Sequence, residues 1–533
     1  MASNVEGRRP EEDTPLLIQE DLPTTIAPTR THQFKAIAMA MTFVIIVEFG
    51  AYLQVPPSYQ LMEEIICRKY HSVPIIQRVG HDDVCKLPQV QGELAIIMGW
   101  KFSFDCIPPL LTAIPYGVIA DKYGRRPVLS LAMLGIMLEC LWQLQPLLWP
   151  NVLPLWTVWF GSVFQFIGGG SGMVRAMLWT MISDVIPISN LTAVYYKVGA
   201  VALGGELFIA PFSAYLQSKN PWLPLTIGNI LLIIGTCLPP FIPETLKLRQ
   251  AADGEFEQTL RRPEHGTNNK RTVKEQIMLV VSNDMGHVYE FLSKSRSLIP
   301  LMAGFNLSII LSYVKNGIMS QYVHNLFGWS WAKATLISTV AVIAHIIMLV
   351  AILPGASRYI TKRTAVHPLI RDLWLVRMTG IILSIGCFMI AVAYAPWFFV
   401  VGMCGPFGAL RGFSFSFFFS SPPPRAYCLD KDLSTDASLA LIIFSLGTSY
   451  SNLCRAVLNA VVEQHTVGTL NTAITWVEQM SMLVSAPIFS GLLKAGNETG
   501  GVWMGLPYMA ATMMSIGGTV LVFMYRLPED KLF

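Results

Sequence analysis

The sequence has few charged residues. Asp, Glu, Lys and Arg make up only 14% of its 533 residues, whereas a soluble protein has about 25%. So little charge cannot cover the surface of a soluble chain of this size. Hydrophobic residues make up 53% of the chain, and the mean hydropathy is +0.49. The net charge of +4 is small and gives no indication of nucleic-acid binding. The composition therefore predicts a polytopic membrane protein.

Several functional signatures are also absent from the sequence. It has no glycine-rich ATP loop of the Walker type, which argues against ATP-driven work, and no nucleophile and base in an arrangement typical of an enzyme. Its nine cysteines lack metal-ligand spacing, so we expect no enzyme activity, cofactor or metal. No apolar core of a cleavable signal peptide precedes Phe34, and residues 1–34 are predicted to be a disordered cytosolic tail.

Apolar runs of about 20 residues fill most of the chain, and each can cross roughly 30 Å of hydrocarbon as a helix. Six precede a polar stretch at 244–296, at about 35–55, 93–117, 127–148, 155–179, 193–215 and 222–243. Seven follow it, at about 297–320, 332–353, 375–394, 396–420, 437–462, 468–491 and 502–525.

Basic residues indicate the orientation of these runs. They cluster before the first run, after the second, throughout 244–296 and after the eighth, which by the positive-inside rule places the amino terminus and the 244–296 linker in the cytosol. The predicted loop at 56–92 lies outside and is an exception, because it holds four basic residues.

The loop between the second and third runs carries a specific motif, GVIADKYGRRPVL at residues 117–129. Its pattern resembles the signature of the major facilitator superfamily, which lies between the second and third helices on the cytosolic side of the membrane. IPET at 242–245 resembles the same superfamily, and PGASRYITKR at 354–363 is a degraded second copy of the motif. Stretches such as GLPYMAA at 505–511 resemble a fungal branch distantly similar to proton-coupled folate and haem-type carriers.

The resemblance implies an all-α major facilitator fold of two six-helix bundles related by a pseudo-two-fold axis along the membrane normal. We expect the bundles at 35–243 and 297–526, with the 244–296 linker between them and a cytosolic tail at 527–533.

The resemblance also implies a conformational latch in the motif. Gly117 would permit close helix approach, and Asp121 would face the start of the eleventh helix, where the helix dipole favours an anion. The basic pair after Gly124 would contact an acid at the end of the fourth helix. The residues of this pair and the matching acid are Arg125, Arg126 and Asp184.

Ionisable residues inside membrane helices are costly and are therefore candidates for proton coupling or substrate binding. Glu48, Glu206 and Arg455 are the strongest candidates, because the superfamily lines its cavity with the corresponding helices. Lys101 and Asp105, four residues apart, can instead form a structural pair. The remaining candidates are Glu139, Arg175, His345 and Glu478; the histidine can also be a buried residue with satisfied hydrogen bonds.

Three local features complete the sequence picture. Cys67 and Cys85 lie in the predicted outer loop and can form a disulfide there, and Asn497 begins a glycosylation sequon before the last run. The surplus apolar run at about 396–420 continues into a stretch rich in Phe, Ser and Pro. Removing about 403–437 leaves a tenth helix of ordinary length, so this segment is either a retained intron or a genuine insertion.

We expect a secondary transporter of a small organic molecule, with proton-coupled efflux of a fungal metabolite or drug as the first interpretation. Proton-coupled uptake of a nutrient or organic anion is the alternative, and a non-transporting solute receptor is the alternative of another class. The expected partners are the small-molecule substrate, protons and the lipid bilayer, without nucleic acid. The expected form is a monomer in the plasma membrane or the vacuolar membrane.

Overall fold

The computed structural model describes residues 30–70, 85–185, 188–242, 244, 298–363, 367–392, 433–461 and 467–525. The first half contains α1 to α6, with a 3-10 segment directly before α4. Their bounds are α1 Arg30–Tyr70, α2 Pro88–Tyr123, α3 Arg125–Leu148, the 3-10 segment Leu155–Phe166, α4 Gly170–Val185, α5 Ile188–Lys219 and α6 Trp222–Cys237.

The second half contains α7 to α15, and at two places a π turn joins two of these helices end to end. The pieces are α7 Ile299–Tyr313, the π turn Val314–Ile318, α8 Met319–Phe327, α9 Trp331–Ile347, the π turn Met348–Ile352, α10 Leu353–Arg363, α11 Pro368–Ala391, α12 Leu433–Gly447, α13 Tyr450–Val461, α14 Val467–Thr499, the 3-10 segment Gly501–Gly505 and α15 Leu506–Met524.

Within the described ranges, eight helices are long and apolar enough to cross a membrane. Large apolar side chains point outward along them, including Phe241, Val350 and Met513, which are more than 70% exposed. Such outward-facing apolar surface is suited to hydrocarbon, where a helix satisfies its own backbone hydrogen bonds. The predicted all-α fold of two six-helix bundles is confirmed.

Each half has an apolar core of its own. In the first half, Leu129 and Ala132 on α3 pack with Met173 and Met177 on α4. In the second half, the core extends over α7, α11, α12, α14 and α15. A further cluster joins α1 and α2 to Trp331 of the second half, so the halves also share buried surface.

Two expectations about helix boundaries are wrong. The predicted outer loop at 56–92 is shorter, because α1 continues through Pro56 and Pro57 to Tyr70. Membrane helices tolerate internal prolines, since neighbouring groups satisfy the freed backbone carbonyls. The fourth apolar run is also not one straight helix. Gly168 has a φ of +86°, and a Cβ there would overlap the backbone of Ala132, so the chain kinks where it touches α3.

The surplus apolar run at 396–420 and most of the anomalous segment at 403–437 lie outside the described residues. The same holds for the tails and nearly all of the 244–296 linker. The described chain resumes at α12, which begins at Leu433.

Candidate functional site

A disulfide defines one end of the helical bundle. The Sγ atoms of Cys67 and Cys85 are 2.07 Å apart, which ties α1 to the residues before α2. Cys67 lies inside α1 rather than on a loop. We call this side of the molecule the disulfide end and the opposite side, which holds Gly124, the motif end.

Charged side chains from both halves lie near enough to interact across the boundary between the bundles, and we call the region between them the cleft. Glu48 and Tyr52 stand one turn apart on α1, Glu206 lies on α5, and Lys315 lies in the π turn after α7. The Tyr52 hydroxyl is beside the Glu206 carboxylate. Glu206 also interacts electrostatically with Lys315, although the two do not form a direct ion pair within 4.0 Å.

The other charges of the cleft come from α4, α13 and α14. Arg175 interacts electrostatically with Glu48 on one side and with Glu478 on the other. Glu478 also pairs with Arg455, with 3.4 Å between Oε1 and Nη1. The structure thus brings together five of the sequence candidates, and it shows that Glu48 and Glu478 have basic neighbours from other helices.

Lys101, Asp105 and Glu139 form a separate network inside the first half. The Lys101 ammonium is 2.6 Å from Asp105 Oδ2 and 3.3 Å from Glu139 Oε1. Gln143 and Gln165 donate to the Glu139 carboxylate at 2.7 and 2.6 Å. Because its members satisfy one another within one bundle, this network is a structural element of that bundle.

A polar cavity of about 170 Å³ opens within the second half. His345 on α9 lies in its wall, and the His345 Nδ1 atom is 2.9 Å from the hydroxyl of Thr448. Lys315 and Asn316 from the π turn line the same cavity. His345 therefore has a hydrogen-bond partner and also a place in the lining.

A buried carboxylate joins the two halves near the disulfide end. Glu63 on α1 accepts hydrogen bonds from Gln91 on α2 and from Trp331 at the start of α9. It also accepts one from His324 on α8, at 2.8 Å between Nε2 and Oε1. Gln321 on α8 donates to the backbone oxygen of Gln91 at 2.8 Å.

We call these five residues the Glu63 cluster. The cluster is well shielded: Glu63 is 5% exposed and His324 is 4% exposed, and the rings of His324 and Trp331 stack at 4.4 Å. A buried carboxylate needs such donors, because its charge is expensive away from water. The Glu63 cluster therefore holds the disulfide end of the cleft closed in this conformation.

Further contacts between the halves lie on the same side of the molecule. The Tyr59 hydroxyl donates to the Gly317 carbonyl at 2.9 Å, and the Lys86 ammonium donates to the Gly328 carbonyl at 2.9 Å. Gly99 on α2 packs so closely on α14 that a Cβ would overlap Ser490.

At the motif end, a carboxylate caps the start of α3. The backbone N–H groups of Arg125 and Arg126 donate to Glu244 Oε1 and Oε2 at 3.0 and 3.1 Å. The first N–H groups of a helix lack intrahelical partners and attract negative charge. Gly124 has a φ of +118°, and a Cβ there would meet the Glu244 carboxylate. Glu244 of the IPET segment therefore caps the helix that follows the motif loop.

The expected contacts of the latch divide into two groups. The side chains of Asp121 and Asp184 lie outside the described part of the structure, so their contacts remain predictions. The expectation of close helix approach at Gly117 is wrong, because a Cβ at that position would meet nothing within 4 Å. The glycine that the local geometry requires in this loop is Gly124.

The predicted glycosylation site is wrong in its position. Asn497 does not lie on a loop but in the last turn of α14, where its side chain is 6% exposed and its Nδ2 atom is buried. A glycan could not be attached to an amide enclosed in this way.

Sequence reasoning missed three residues that the structure brings to the cleft or its ends: Glu63, Glu244 and His324. Lys315, which also lies there, is an ionisable residue of the seventh apolar run and is a candidate from the sequence. Glu63 falls in the predicted outer loop at 56–92, because the first apolar run ends near residue 55. An ionisable residue within about one helical turn of an apolar run is the signal that would have found His324, which follows the run at 297–320. Glu63 lies more than two turns beyond the first run, so that signal does not reach it.

The comparisons with known proteins agree with this geometry. Residues 87–431 match the family described as Major Facilitator Superfamily. The efflux pump ustT of Aspergillus flavus is 27% identical over 477 residues, covering 87% of this chain and 83% of the relative. The MFS efflux pump atnC of Emericella nidulans is 26% identical over 547 residues, covering 100% of this chain and 95% of the relative. A solved D-xylose–proton symporter shares the fold with a TM-score of 0.60 and 11% identity, over 94% of this chain and 99% of its own.

Proposed function

Because the chain belongs to the major facilitator superfamily and is a secondary transporter, we propose that it exports a small organic molecule by proton exchange, with Glu206 as the carboxyl that binds the proton. The relatives that align over most of this chain are named efflux pumps, which supports export. The observation that carries the proposal is the position of Glu206 in the cleft, between Tyr52 of its own half and Lys315 of the other half.

Access to water distinguishes Glu206 from Glu139, the buried acid of the first-half network. Glu206 is half-buried and faces the cleft, so a proton can reach it through water. Glu139, in contrast, is enclosed in the first half and is held by Lys101, Gln143 and Gln165. A carboxyl that cycles between two protonation states needs a surrounding in which neither state is fixed by permanent partners.

The geometry also suggests how protonation affects the two halves. Ionised Glu206 attracts Lys315 across the cleft, and neutral Glu206 does not. Proton binding therefore removes one attraction between the bundles and changes the relative stability of their arrangements. For the cleft to open at the disulfide end, the Glu63 cluster must separate. Proton binding and substrate binding are thereby coupled to the same rearrangement.

The first experiment identifies the substrate and the direction of transport. Metabolite profiles of the native host with and without the gene are compared inside the cells and in the medium. We expect a compound that accumulates inside the cells when the gene is deleted. A compound that instead falls inside the deletion strain would show uptake and would refute export.

The second experiment tests Glu206 with that compound. Inverted membrane vesicles with an acid interior should accumulate the compound, and the Glu206→Gln variant should lose the dependence on the pH gradient while still exchanging substrate. Glu498→Gln is the matched control, since Glu498 lies at the exposed end of α14. Gradient-driven accumulation by Glu206→Gln at the rate of the control would show that another group binds the proton.

A further inference from the structure

The cavity of the second half contains a lysine that has no ionic partner among the residues that the structure describes. Lys315 forms no ion pair and no hydrogen bond with any residue in the described ranges. The oppositely charged group that acts on it is Glu206, across the cleft and beyond direct contact. An ammonium in a membrane interior is costly unless it is paired, so this position indicates a binding role.

The backbone around Lys315 has an irregular form that places it at the cavity. Val314–Ile318 is a π turn, and single π turns inside α-helices occur frequently at functional sites. The Gly317 carbonyl in this turn accepts the hydrogen bond from Tyr59 of the first half. The turn that carries Lys315 is thus in direct contact with both halves.

The remaining walls of the cavity show what kind of group it can hold. Asn316, Ser312 and Asn452 supply hydrogen-bonding groups near Lys315, whereas Leu383 and Phe444 form an apolar wall. Most of the lining residues are polar, so they can hydrogen-bond to a carboxylate that pairs with Lys315. The smaller apolar wall can contact an apolar group next to that carboxylate.

The opposite side of the cleft carries the complementary charge. Glu48 and Glu206 act on each other from the first half, and Arg175 of the same half acts on Glu48. Glu206 is thus the carboxylate of this side that remains for a cation. A substrate with both an ammonium and a carboxylate group could fill the gap between Glu206 and Lys315. It would convert one long-range attraction into two direct ion pairs.

We propose that the substrate is zwitterionic, an amino-acid or peptide derivative whose carboxylate binds Lys315 and whose ammonium binds Glu206. This inference rests on the proposed function, and it explains exchange: the substrate ammonium and the proton neutralise the same carboxylate, so they bind alternately. A substrate with only a carboxylate would bind together with the proton and would be cotransported with it.

Four compounds of similar shape test the assignment: L-phenylalanine, L-phenylalaninamide, N-acetyl-L-phenylalanine and N-acetyl-L-phenylalaninamide. L-phenylalanine carries both charges, and its amide carries only the ammonium. The N-acetyl form carries only the carboxylate, and the N-acetyl amide carries no charge. Binding is measured at pH 7 by the thermal stabilisation of the purified full chain in lipid nanodiscs. We expect L-phenylalanine to bind at least about tenfold more tightly than each of the other three.

Variants assign each charge to its partner. Lys315→Met should bind L-phenylalanine no better than L-phenylalaninamide, and Lys315→Arg should retain the preference. Glu206→Gln should remove the preference for L-phenylalanine over its N-acetyl form. Lys315→Met removes an unpaired charge, so it should fold, with a melting temperature equal to or above that of the wild type.

Equal binding of the four compounds, binding of none of them, or an undiminished preference in Lys315→Met would overturn the proposal. These outcomes are independent of the proposed function, because binding in nanodiscs requires no gradient. Zwitterion binding that depends on Lys315, without gradient-driven export in vesicles, would refute proton-exchange export alone.

Discussion

Removing one hydrogen bond from the Glu63 cluster should open the disulfide end of the cleft more often. Trp331→Phe deletes the indole N–H that donates to Glu63 Oε2 and keeps an aromatic ring against His324. A hydrogen bond to a charged group contributes about 1.5–3 kcal/mol. In the open arrangement water hydrates Glu63 in both proteins, so the loss falls on the closed arrangement alone.

This free-energy difference sets the size of the expected effect. At 1.4 kcal/mol per tenfold change, a loss of 1.5–3 kcal/mol increases the open-to-closed ratio about 12- to 140-fold. The effect is large because Glu63 is 5% exposed, and water cannot replace the missing donor without opening the cluster.

The alkylation rate of a buried reporter cysteine measures this ratio. Ser490 is 2% exposed, lies against Gly99 between α14 and α2, and hydrogen-bonds to Tyr313 at 2.8 Å. A Ser490→Cys reporter reacts with a membrane-impermeant maleimide from outside only when the halves separate. The rate is proportional to the open population when reclosing is faster than alkylation. Mass spectrometry of the peptide that contains position 490 reads the modification without removing the native cysteines.

Two controls separate opening of the cleft from general loosening. Trp329→Phe changes a neighbouring tryptophan that packs on Phe327 and should leave the rate unchanged. An Ala132→Cys reporter, fully buried in the core of the first half, should stay unreactive in Trp331→Phe. Alkylation at position 490 that is no faster in Trp331→Phe than in Trp329→Phe would refute the role of the Glu63 cluster in closing the cleft.

Three further predictions concern the two ends of the bundle. Gly124→Ala should lower the free energy of unfolding by about 1–3 kcal/mol, because alanine is strained at a φ of +118°. Thermal unfolding measures the change, and Gly491→Ala is the control because position 491 has open space around it. Cys67→Ala should cost about 3 kcal/mol, the expected contribution of a disulfide that closes a loop of this length, and maleimide should label Cys67 and Cys85 of the wild type only after reduction. Asp121→Asn should reduce transport strongly at near-normal expression, and full transport by this variant would reject the latch.

Much of the fold could be predicted from the sequence, because the signals involved are local. The predicted apolar runs at 93–117, 127–148 and 222–243 coincide with α2, α3 and α6, and most of their ends agree to within a few residues. Hydrophobic length alone decides whether a segment can cross a bilayer. The motif at 117–129 indicated the superfamily for the same reason, as its residues are adjacent in the chain.

Local signals failed where the tertiary structure supplies the missing stabilisation. The first apolar run ends near residue 55, but packing of α1 against α2, α5 and α6 supports the helix through Pro56 and Pro57 to Tyr70. The fourth apolar run, at about 155–179, predicts one continuous helix, whereas positive φ angles at Gly168, Gly169 and Gly170 produce a kink there. Neither outcome follows from residue type alone.

The sequence is sufficient to identify a polytopic helical membrane protein with a major facilitator motif and many of the ionisable residues inside its helices. The pairing of those charges depends on the tertiary structure. Glu63 and His324 are 261 positions apart, and Lys315 faces Glu206 from the opposite half. Hydrophobic periodicity specifies which side of a helix avoids water, but it does not specify which helix lies opposite. The partner of a buried charge is therefore fixed by how the bundles pack.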